Sequence, residues 1–475
     1  MKLSEIVKNV NTEFFENSDP EITSIAYDSR KVTEGNLFVA IKGFETDGHK
    51  YIDSAIKNGA VAVIGEEDIE CDCTYIKVDN SRKALAVCAA NFYGNPHKKL
   101  KIIGLTGTNG KTTTTYLIRQ ILMLKGMRCD LIGTNQILIG DEEIQSSRTT
   151  PESLDLFELF SKIEKSGGEY VVMEVSSHSL ELDRVYGITF ETAVITNITQ
   201  DHLDFHKTMQ NYASAKAKIL KMCKSAAINL DDEYAPLMQK NAKEHTLTYS
   251  IDAPSQIKAE NLRMSERGVI FSIKFNDIHE MRLGIPGKFS VYNALAAICA
   301  CINIGVDILD IEKGLVLAKS VKGRIEVVQV PTPYTIIIDY AHTPDGLENI
   351  ISAVRDFARG RVITVFGCGG NRDSSKRPKM GKIAEELSDI VIVTSDNPRC
   401  ENSASIIEDI LLGMKKDNHV VVENRKEAIR YAMQISREKD IVVLAGKGHE
   451  TYQEIDNVKH DFDERVIVKQ ILAEK

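Results

Sequence analysis

Between Ile102 and Gly126 the chain passes from a short apolar run through a glycine-rich loop into a helical pattern, and few architectures admit that passage. Ile102-Ile103-Gly104-Leu105 leads into Thr106-Gly107-Thr108-Asn109-Gly110-Lys111, and the helical stretch from Thr112 stops at Gly126. In such a loop the backbone N–H groups and the helix N-terminus cradle phosphate, which Lys111 neutralises while Thr112 can ligate magnesium. A strict P-loop would carry glycine at position 105, where this chain has leucine. The Gly-Lys-Thr ending is intact and no G-x-G-x-x-G follows a strand, so ATP is expected rather than a dinucleotide. The plainer reading, a glycine turn with a surface lysine, does not account for the strand before the loop and the helix after it.

The 475 residues amount to about three domains' worth of chain, with apolar material for several cores. A net charge of −9 and the lack of any Lys/Arg-rich run disfavour a nucleic-acid partner or an anionic membrane surface. The start, Met1-Lys2-Leu3-Ser4-Glu5, lacks the pattern of a signal peptide, and the longest apolar stretch, Ala294 to Val306, is too short to span a bilayer. The expectation is a soluble, cytoplasmic monomer without membrane insertion. The pairs Cys71/Cys73 and Cys299/Cys301 have no partners at metal-site spacing, so the nine cysteines read as reduced and mostly buried thiols.

Residues 1–97 alternate β-like runs (Leu37–Ile41, Ala60–Ile64, Tyr75–Val78) with amphipathic segments and close on Gly94-Asn95-Pro96-His97, the first boundary. Buried-strand runs at Tyr170–Val175, Thr192–Ile198 and Ala226–Leu230, separated by helices such as Leu154–Ile163, predict a parallel sheet covered on both faces. A helix over Asn293–Ile304 and a Gly323-Arg324 junction precede a second βα series: Thr335–Asp339, Arg361–Phe366, Asp389–Thr394, Val420–Val422 and Asp440–Ala445. The fold class is therefore α/β: a small α/β domain over 1–97, a central P-loop ATPase-like domain over 98–322 and a second βα domain over 323–475, Rossmann-like on the family resemblance drawn below.

Open α/β sheets bind ligands beyond the carboxyl ends of their strands, so the loops there carry the candidate chemistry. Val171-Val172-Met173-Glu174 delivers a carboxylate that would hold magnesium beside the phosphate loop. His202, in Asp201-His202-Leu203-Asp204, offers an imidazole at the same edge, although a lone histidine is as readily structural. Lys216 reads by periodicity as a solvated helix lysine. In the last third, Asp339-Tyr340-Ala341-His342, Gly367 to Asp373, Asp396-Asn397-Pro398-Arg399 and Gly446-Lys447-Gly448-His449-Glu450 each follow a predicted strand. Gly, Asn, Asp and Pro populate ordinary turns, but Arg372, Arg399 and Glu450 are not turn formers. Arginines facing acids describe a pocket for a zwitterion.

Taken together, Gly107-Thr108-Asn109-Gly110-Lys111-Thr112-Thr113, Met173 to His178, Asp201 to Asp204, Asn293, Arg324 and Asp339 to His342 resemble, in order and over essentially the whole chain, the ATP-dependent Mur ligases of peptidoglycan precursor synthesis. Asp28-Ser29-Arg30, Thr149-Thr150-Pro151 and Asp396 to Arg399 are similar to the branch that adds meso-diaminopimelate as the third peptide residue. The resemblance implies that Tyr27, Ser29, Phe44, Glu45 and Thr46 contact the UDP portion of the substrate, and that Thr149, Thr150, Ser176 and Arg184 bind its muramoyl-dipeptide. It implies ATP on Gly107 to Thr113, with Asn293 at adenine, Asp339 at ribose and Arg324 at the phosphates. Diaminopimelate falls to Arg372, Asp396, Asn397, Pro398, Arg399, Gly446 and Glu450. Mg2+ falls to Thr112, Glu174, His202 and Lys216, the last as a carbamate, and the catalytic set is Lys111, Glu174, His202, Lys216 and Arg324. Arg148 and Leu182 depart from the family pattern, which has asparagine and glutamine there.

The reaction implied is amide formation through an acyl phosphate, with a mobile carboxy-terminal domain hinged near Gly323 and a buried Arg399 selecting the second carboxylate of diaminopimelate. A lysine-adding relative or a folylpolyglutamate synthetase-like ligase shares the ATPase core. A non-catalytic nucleotide switch would need the phosphate loop alone.

Overall fold

The computed structural model describes residues 1–15, 19–43, 46–146, 148–265 and 268–474. It comprises two compact units, Met1–Tyr249 with Ala296–Asp310, and Ser250–Leu295 with Ile311–Lys475.

The first unit holds two sheets. The smaller has the order Thr12–Phe15, Thr74–Val78, Ala60–Gly65, Asn36–Val39, Ser24–Ala26, parallel except at its first pair. It groups with the central sheet through contacts such as Tyr27 Oη to Asp155 at 2.7 Å. The larger sheet runs Thr246–Ser250, Cys223–Asn229, Phe190–Ile195, Lys101–Thr106, Tyr170–Glu174, Cys129–Ile132, all parallel. Strands covered on both faces have no polar side to show, and every residue of Tyr170–Glu174 is buried. The helix Ser153–Lys165 turns Leu156, Phe157, Phe160 and Ile163 inward at helical spacing.

The central sheet is not wholly parallel as its apolar runs predict. Cys129–Ile132 pairs antiparallel with Gln136–Ile139, which forms a hairpin with Glu142–Gln145 through Gly140 at φ 58°. The strand Glu142–Gln145 is largely exposed, so it carries no buried-run signal.

In the second unit a six-stranded sheet has the order Glu326–Val327, Thr335–Asp339, Ile441–Ala445, Val362–Phe366, Ile390–Val393, His419–Val421, parallel after the first pair. Its faces carry separate cores. Leu347, Ile350, Met380, Ala384, Ile406 and Ile410 belong to one, and Ala428, Ile429, Ala432, Ile467 and Ile471 to the other. The four loops singled out in the sequence stand at the carboxyl ends of four adjacent parallel strands. Two features carry no sequence expectation: the antiparallel meander Glu260–Ser265, Gly268–Phe275, Asp277–Leu283, and the hairpin Tyr452–Ile455 with Val458–Asp461. The helix expected over Asn293–Ile304 starts earlier and spans Lys288–Asn303. All nine cysteines are free, and all but Cys71, Cys73 and Cys400 are buried. Among the described residues no helix is long and apolar enough to cross a membrane.

Candidate active site

The phosphate loop depends on two glycines. Gly107 has φ 148° and a Cβ there would stand 1.8 Å from Thr196 Oγ1, while Gly110, at φ 84°, precedes the helix Lys111–Leu124. The loop is braced from the segment after Phe190–Ile195: Thr108 N donates to Asn197 O at 2.8 Å, Asn109 N to Asn197 Oδ1 at 2.9 Å, and Thr196 Oγ1 to Asn109 O at 2.6 Å. Lys111 arches back, its Nζ donating to Gly107 O at 2.8 Å and Thr108 O at 2.9 Å. Thr113 is half-buried in the first turn of the helix.

Strand register brings the carboxylate to this loop, because Glu174 pairs with Leu105 in the parallel ladder. Glu174 is buried; its Oε1 accepts from Thr112 Oγ1 at 3.0 Å and Thr134 N at 2.9 Å, and its Oε2 from Thr134 Oγ1 at 3.0 Å. The donor set suits a hard divalent cation: a hydroxyl and a carboxylate already in contact, beside a loop built for phosphate.

Lys216 corrects the reading of a solvated helix lysine, for it is fully buried. The local pattern misled because Lys216 lies on the buried face of the helix Met209–Ala217 beside Tyr212 and three alanines, whose small side chains mark that face weakly, opposite the exposed Gln210, Asn211 and Ser214. Lys216 Nζ donates to Gly107 O at 2.8 Å, the carbonyl Lys111 also uses, and lies 4.6 Å over the Tyr212 ring. Burial first, and the Lys111 charge second, push its pKa far below the usual lysine range, favouring a neutral amine. His202 stands in the left-handed region at φ 53° with a half-exposed side chain, 3.3 Å from Asp201 and 4.8 Å from the His178 ring.

On the other side of the strand end, Thr150 is a brace. Its hydroxyl donates to Glu174 O at 2.9 Å and accepts from Ser176 N at 3.0 Å, fixing the turn into the helix that Ser176 caps. Thr149 Oγ1 lies 3.0 Å from Thr134 Oγ1. Arg184, Arg148 and Arg82 surround one carboxylate, Glu152, at 2.8, 2.7 and 3.5 Å. Ser29 is buried in the Asp28-capped turn Ser29–Lys31, and Thr46 Oγ1 lies 3.0 Å from Tyr51 Oη. Phe44 and Glu45 lie outside the described residues.

Within the second unit, Asp339 is buried and accepts from Ile325 N and Ala341 N at 2.9 Å each; burial raises its pKa. Asn293 is buried on the helix Lys288–Asn303. The Arg324 guanidinium lies 5.1 Å over Tyr340, whose ring also meets His342 and His449. The next residue, Ile325, is β-branched at φ 43°, strained backbone of the kind that clusters at working sites. Gly323, where the hinge is expected, packs within this cluster. Gly323 has φ 73°, its O accepts from Tyr340 N at 3.0 Å, and a Cβ on it would lie 2.1 Å from His449 N.

The loops after Ile390–Val393 and Ile441–Ala445 are tied together more closely than their sequence suggests. Asn397 Nδ2 donates to Glu450 Oε2 at 2.9 Å, Asn397 Oδ1 accepts from Lys447 Nζ at 2.8 Å, and Gln453 Nε2 reaches Asp396 O at 2.7 Å. Gly446, at φ 116°, passes so close to Asp396 that a Cβ would stand 2.8 Å from its Oδ2, and Pro398 is buried beside them. Arg399 corrects a second expectation: it is partly exposed rather than buried, and it is already paired, Nε to Glu454 Oε2 at 3.1 Å and Nη1 to Gly370 O at 2.7 Å. Arg372 is exposed nearby in sequence to Asn371, which has φ 52°. Lys447, Gln453 and Glu454 join this cluster by contacts that the local sequence does not announce.

Three family models match in succession: the Mur ligase family catalytic domain over residues 21–93, the Mur ligase middle domain over 105–301, and the Mur ligase glutamate ligase domain over 323–448. The chain belongs to the Mur ligase family. Among similar Mur ligases, an enzyme of Clostridium botulinum named UDP-N-acetylmuramoyl-L-alanyl-D-glutamate--2,6-diaminopimelate ligase is 49% identical over 482 residues, covering 100% of both chains. One of the same name from Caldanaerobacter subterraneus is 49% identical over 480 residues, covering 100% of this chain and 99% of its own. A solved structure under that name has a TM-score of 0.74 at 31% identity, covering 100% of this chain and 99% of its own. The Mur ligase fold likeness extends to MurF from Thermotoga maritima in complex with ADP, with a TM-score of 0.62 at 23% identity, covering 95% of this chain and 97% of that one.

Proposed function

We propose that this Mur ligase uses ATP to join meso-diaminopimelate to the D-glutamyl side-chain carboxylate of UDP-N-acetylmuramoyl-L-alanyl-D-glutamate. The observation that carries the substrate choice is the cluster at these strand ends, where the Arg399 guanidinium pairs with Glu454 and the Glu450 carboxylate is held by Asn397 and Lys447, opposite charges of the kind a zwitterion requires. The full-length likeness to enzymes named for this reaction supports it.

A carboxylate is a poor electrophile, so the γ-phosphoryl group of ATP is first transferred to it, giving an acyl phosphate and ADP. Loop N–H groups with Lys111 bind the phosphates, and Arg324 spreads charge on the transferring group. The amine of diaminopimelate attacks the acyl carbon, phosphate leaves with the C–O bond electrons, and the new nitrogen loses its proton. Thr112 and Glu174 hold Mg2+ in this reading, joined by His202 and by Lys216 as its carbamate. Bound there, the ion neutralises phosphoryl oxygens. A neutral amine is the form that adds to carbon dioxide, and the surroundings of Lys216 favour it.

Asn293 meets adenine and Asp339 ribose. Tyr27, Ser29, Phe44, Glu45, Thr46, Thr149, Thr150, Ser176 and Arg184 face the UDP-muramoyl-dipeptide. Arg372, Asp396, Asn397, Pro398, Arg399, Gly446 and Glu450 take the amino acid. Domains over 1–97, 98–322 and 323–475 correspond to these three tasks, in a monomeric cytoplasmic enzyme.

The test is phosphate release from ATP with the UDP-muramoyl-dipeptide and either meso-diaminopimelate, L-lysine or no amino acid. Turnover with diaminopimelate alone is expected. Preference for lysine would discard the substrate choice, and no turnover with either would discard the reaction.

A further inference from the structure

We propose that Lys447 is a positioning residue of the amino-acid pocket, holding Asn397 and Glu450 as one preformed acceptor for an ammonium group; this rests on the reading of the pocket above. The Lys447 side chain is fully enclosed, and its Nζ has two acceptors from two loops, Asn397 Oδ1 at 2.8 Å and Glu450 Oε2 at 3.0 Å. Neither contact is incidental to the fold. The ammonium and Glu454 N, at 2.9 Å, both demand an acceptor at Asn397 Oδ1, which settles the amide's orientation. Asn397 Nδ2 is thereby turned to Glu450 Oε2, at 2.9 Å. Two donors now hold Oε2. Among the described residues nothing donates to Glu450 Oε1, and it is not sealed in, so the carboxylate keeps one oxygen for a ligand.

A strut alone would not need a charge here. A buried ammonium is expensive to desolvate, and an apolar residue of similar volume often stabilises as well or better. What a lysine adds, and a methionine cannot, is a fixed donor that aligns groups from the loops after Ile390–Val393 and Ile441–Ala445. The ligand chemistry is that of a primary ammonium on an amino acid, with Glu450 Oε1 as its acceptor.

The experiment compares Lys447→Met with the wild type in steady-state phosphate release, varying ATP, UDP-muramoyl-dipeptide and meso-diaminopimelate in turn. The expected result is a KM for diaminopimelate raised about 30-fold or more, with KM for ATP and for the dipeptide within about twofold and kcat at saturating diaminopimelate reduced far less than KM rises. A general structural defect would instead lower kcat and disturb all three KM values together, and that result, or an unchanged KM for diaminopimelate, would overturn the proposal. Should Lys447→Met fail to fold, Lys447→Gln keeps a polar, uncharged side chain in the enclosure while removing the ammonium. It should fold, bind ATP as the wild type does, and show the same selective loss of diaminopimelate; uniform losses again overturn the idea. A wild-type enzyme that ignores diaminopimelate but uses another amino acid strikes the substrate choice alone, and the same comparison of KM values is then made with that amino acid.

Discussion

Removing the Arg399 guanidinium should erase most of the preference for diaminopimelate over lysine, and the structure sets the size of the effect. If Arg399 were sealed away and unpaired, lysine would leave a bare buried charge. Arg399 instead pairs with Glu454 at 3.1 Å, with both side chains 21% exposed, so lysine leaves no orphan. A pair that open contributes at most about 1 kcal/mol. A second carboxylate that takes the guanidinium in charge-assisted hydrogen bonds gains about 1.5–3 kcal/mol. The difference, about 0.5–2 kcal/mol, corresponds to a selectivity of about 2- to 30-fold in kcat/KM. Arg399→Ala should lower the ratio of kcat/KM for diaminopimelate to that for lysine by this factor. Its φ of 53° burdens alanine and arginine alike, so backbone strain cancels from the comparison. Glu454→Gln removes the competing anion, and the ratio should rise by up to about fivefold. Phosphate release with each amino acid reads both. Equal losses for the two amino acids in Arg399→Ala, or a lower ratio in Glu454→Gln, would refute the reasoning.

Glu174→Gln keeps a carbonyl oxygen for Thr112 and Thr134 but loses the charge; turnover should fall about 100-fold or more and the Mg2+ requirement rise, with little change in melting temperature. With 13C-bicarbonate the enzyme should show a carbamate carbon resonance that Lys216→Met lacks, because burial keeps that amine neutral; identical spectra would remove the carbamate. Burial holds His97 and His449 at pKa values of about 4, below the roughly 6.5 of an unfolded chain. The unfolded state then binds more protons between those values, so stability rises with pH from 4 to 6.5 and is lost as pH falls through the same window. His97→Phe, facing Phe157, should show a shallower dependence of melting temperature on pH over that range.

The elements legible in the sequence were those whose burial leaves a continuous apolar run. Tyr170–Glu174 and Thr335–Asp339 are of this kind, and the phosphate loop is fixed by glycines that nothing with a Cβ replaces. The meander Glu260–Leu283 escaped because its first strand is mostly exposed and carries no such run. Within the site, Glu174 could be placed from its position at a strand end, whereas Lys216 and Lys447 could not. Buried lysines look like surface lysines until the partners that enclose them are known, and those partners, Gly107 and Asn397, lie 109 and 50 residues away. Glu454 was hidden for a similar reason: it sits on a hairpin of largely exposed residues whose docking is invisible to local pattern.

That hairpin meets the Asp396–Arg399 loop through its main chain: Arg399 N donates to Glu454 O at 3.0 Å, and Asp456 N to Arg399 O at 2.7 Å. Backbone bonds of this kind are indifferent to the side chains they carry. The codon for Glu454 can therefore drift without unseating the hairpin, and each change re-dresses the wall that faces Arg399. An enzyme built this way would change its choice of amino acid by single substitutions at one rim, with the Gly107–Thr113 loop left untouched.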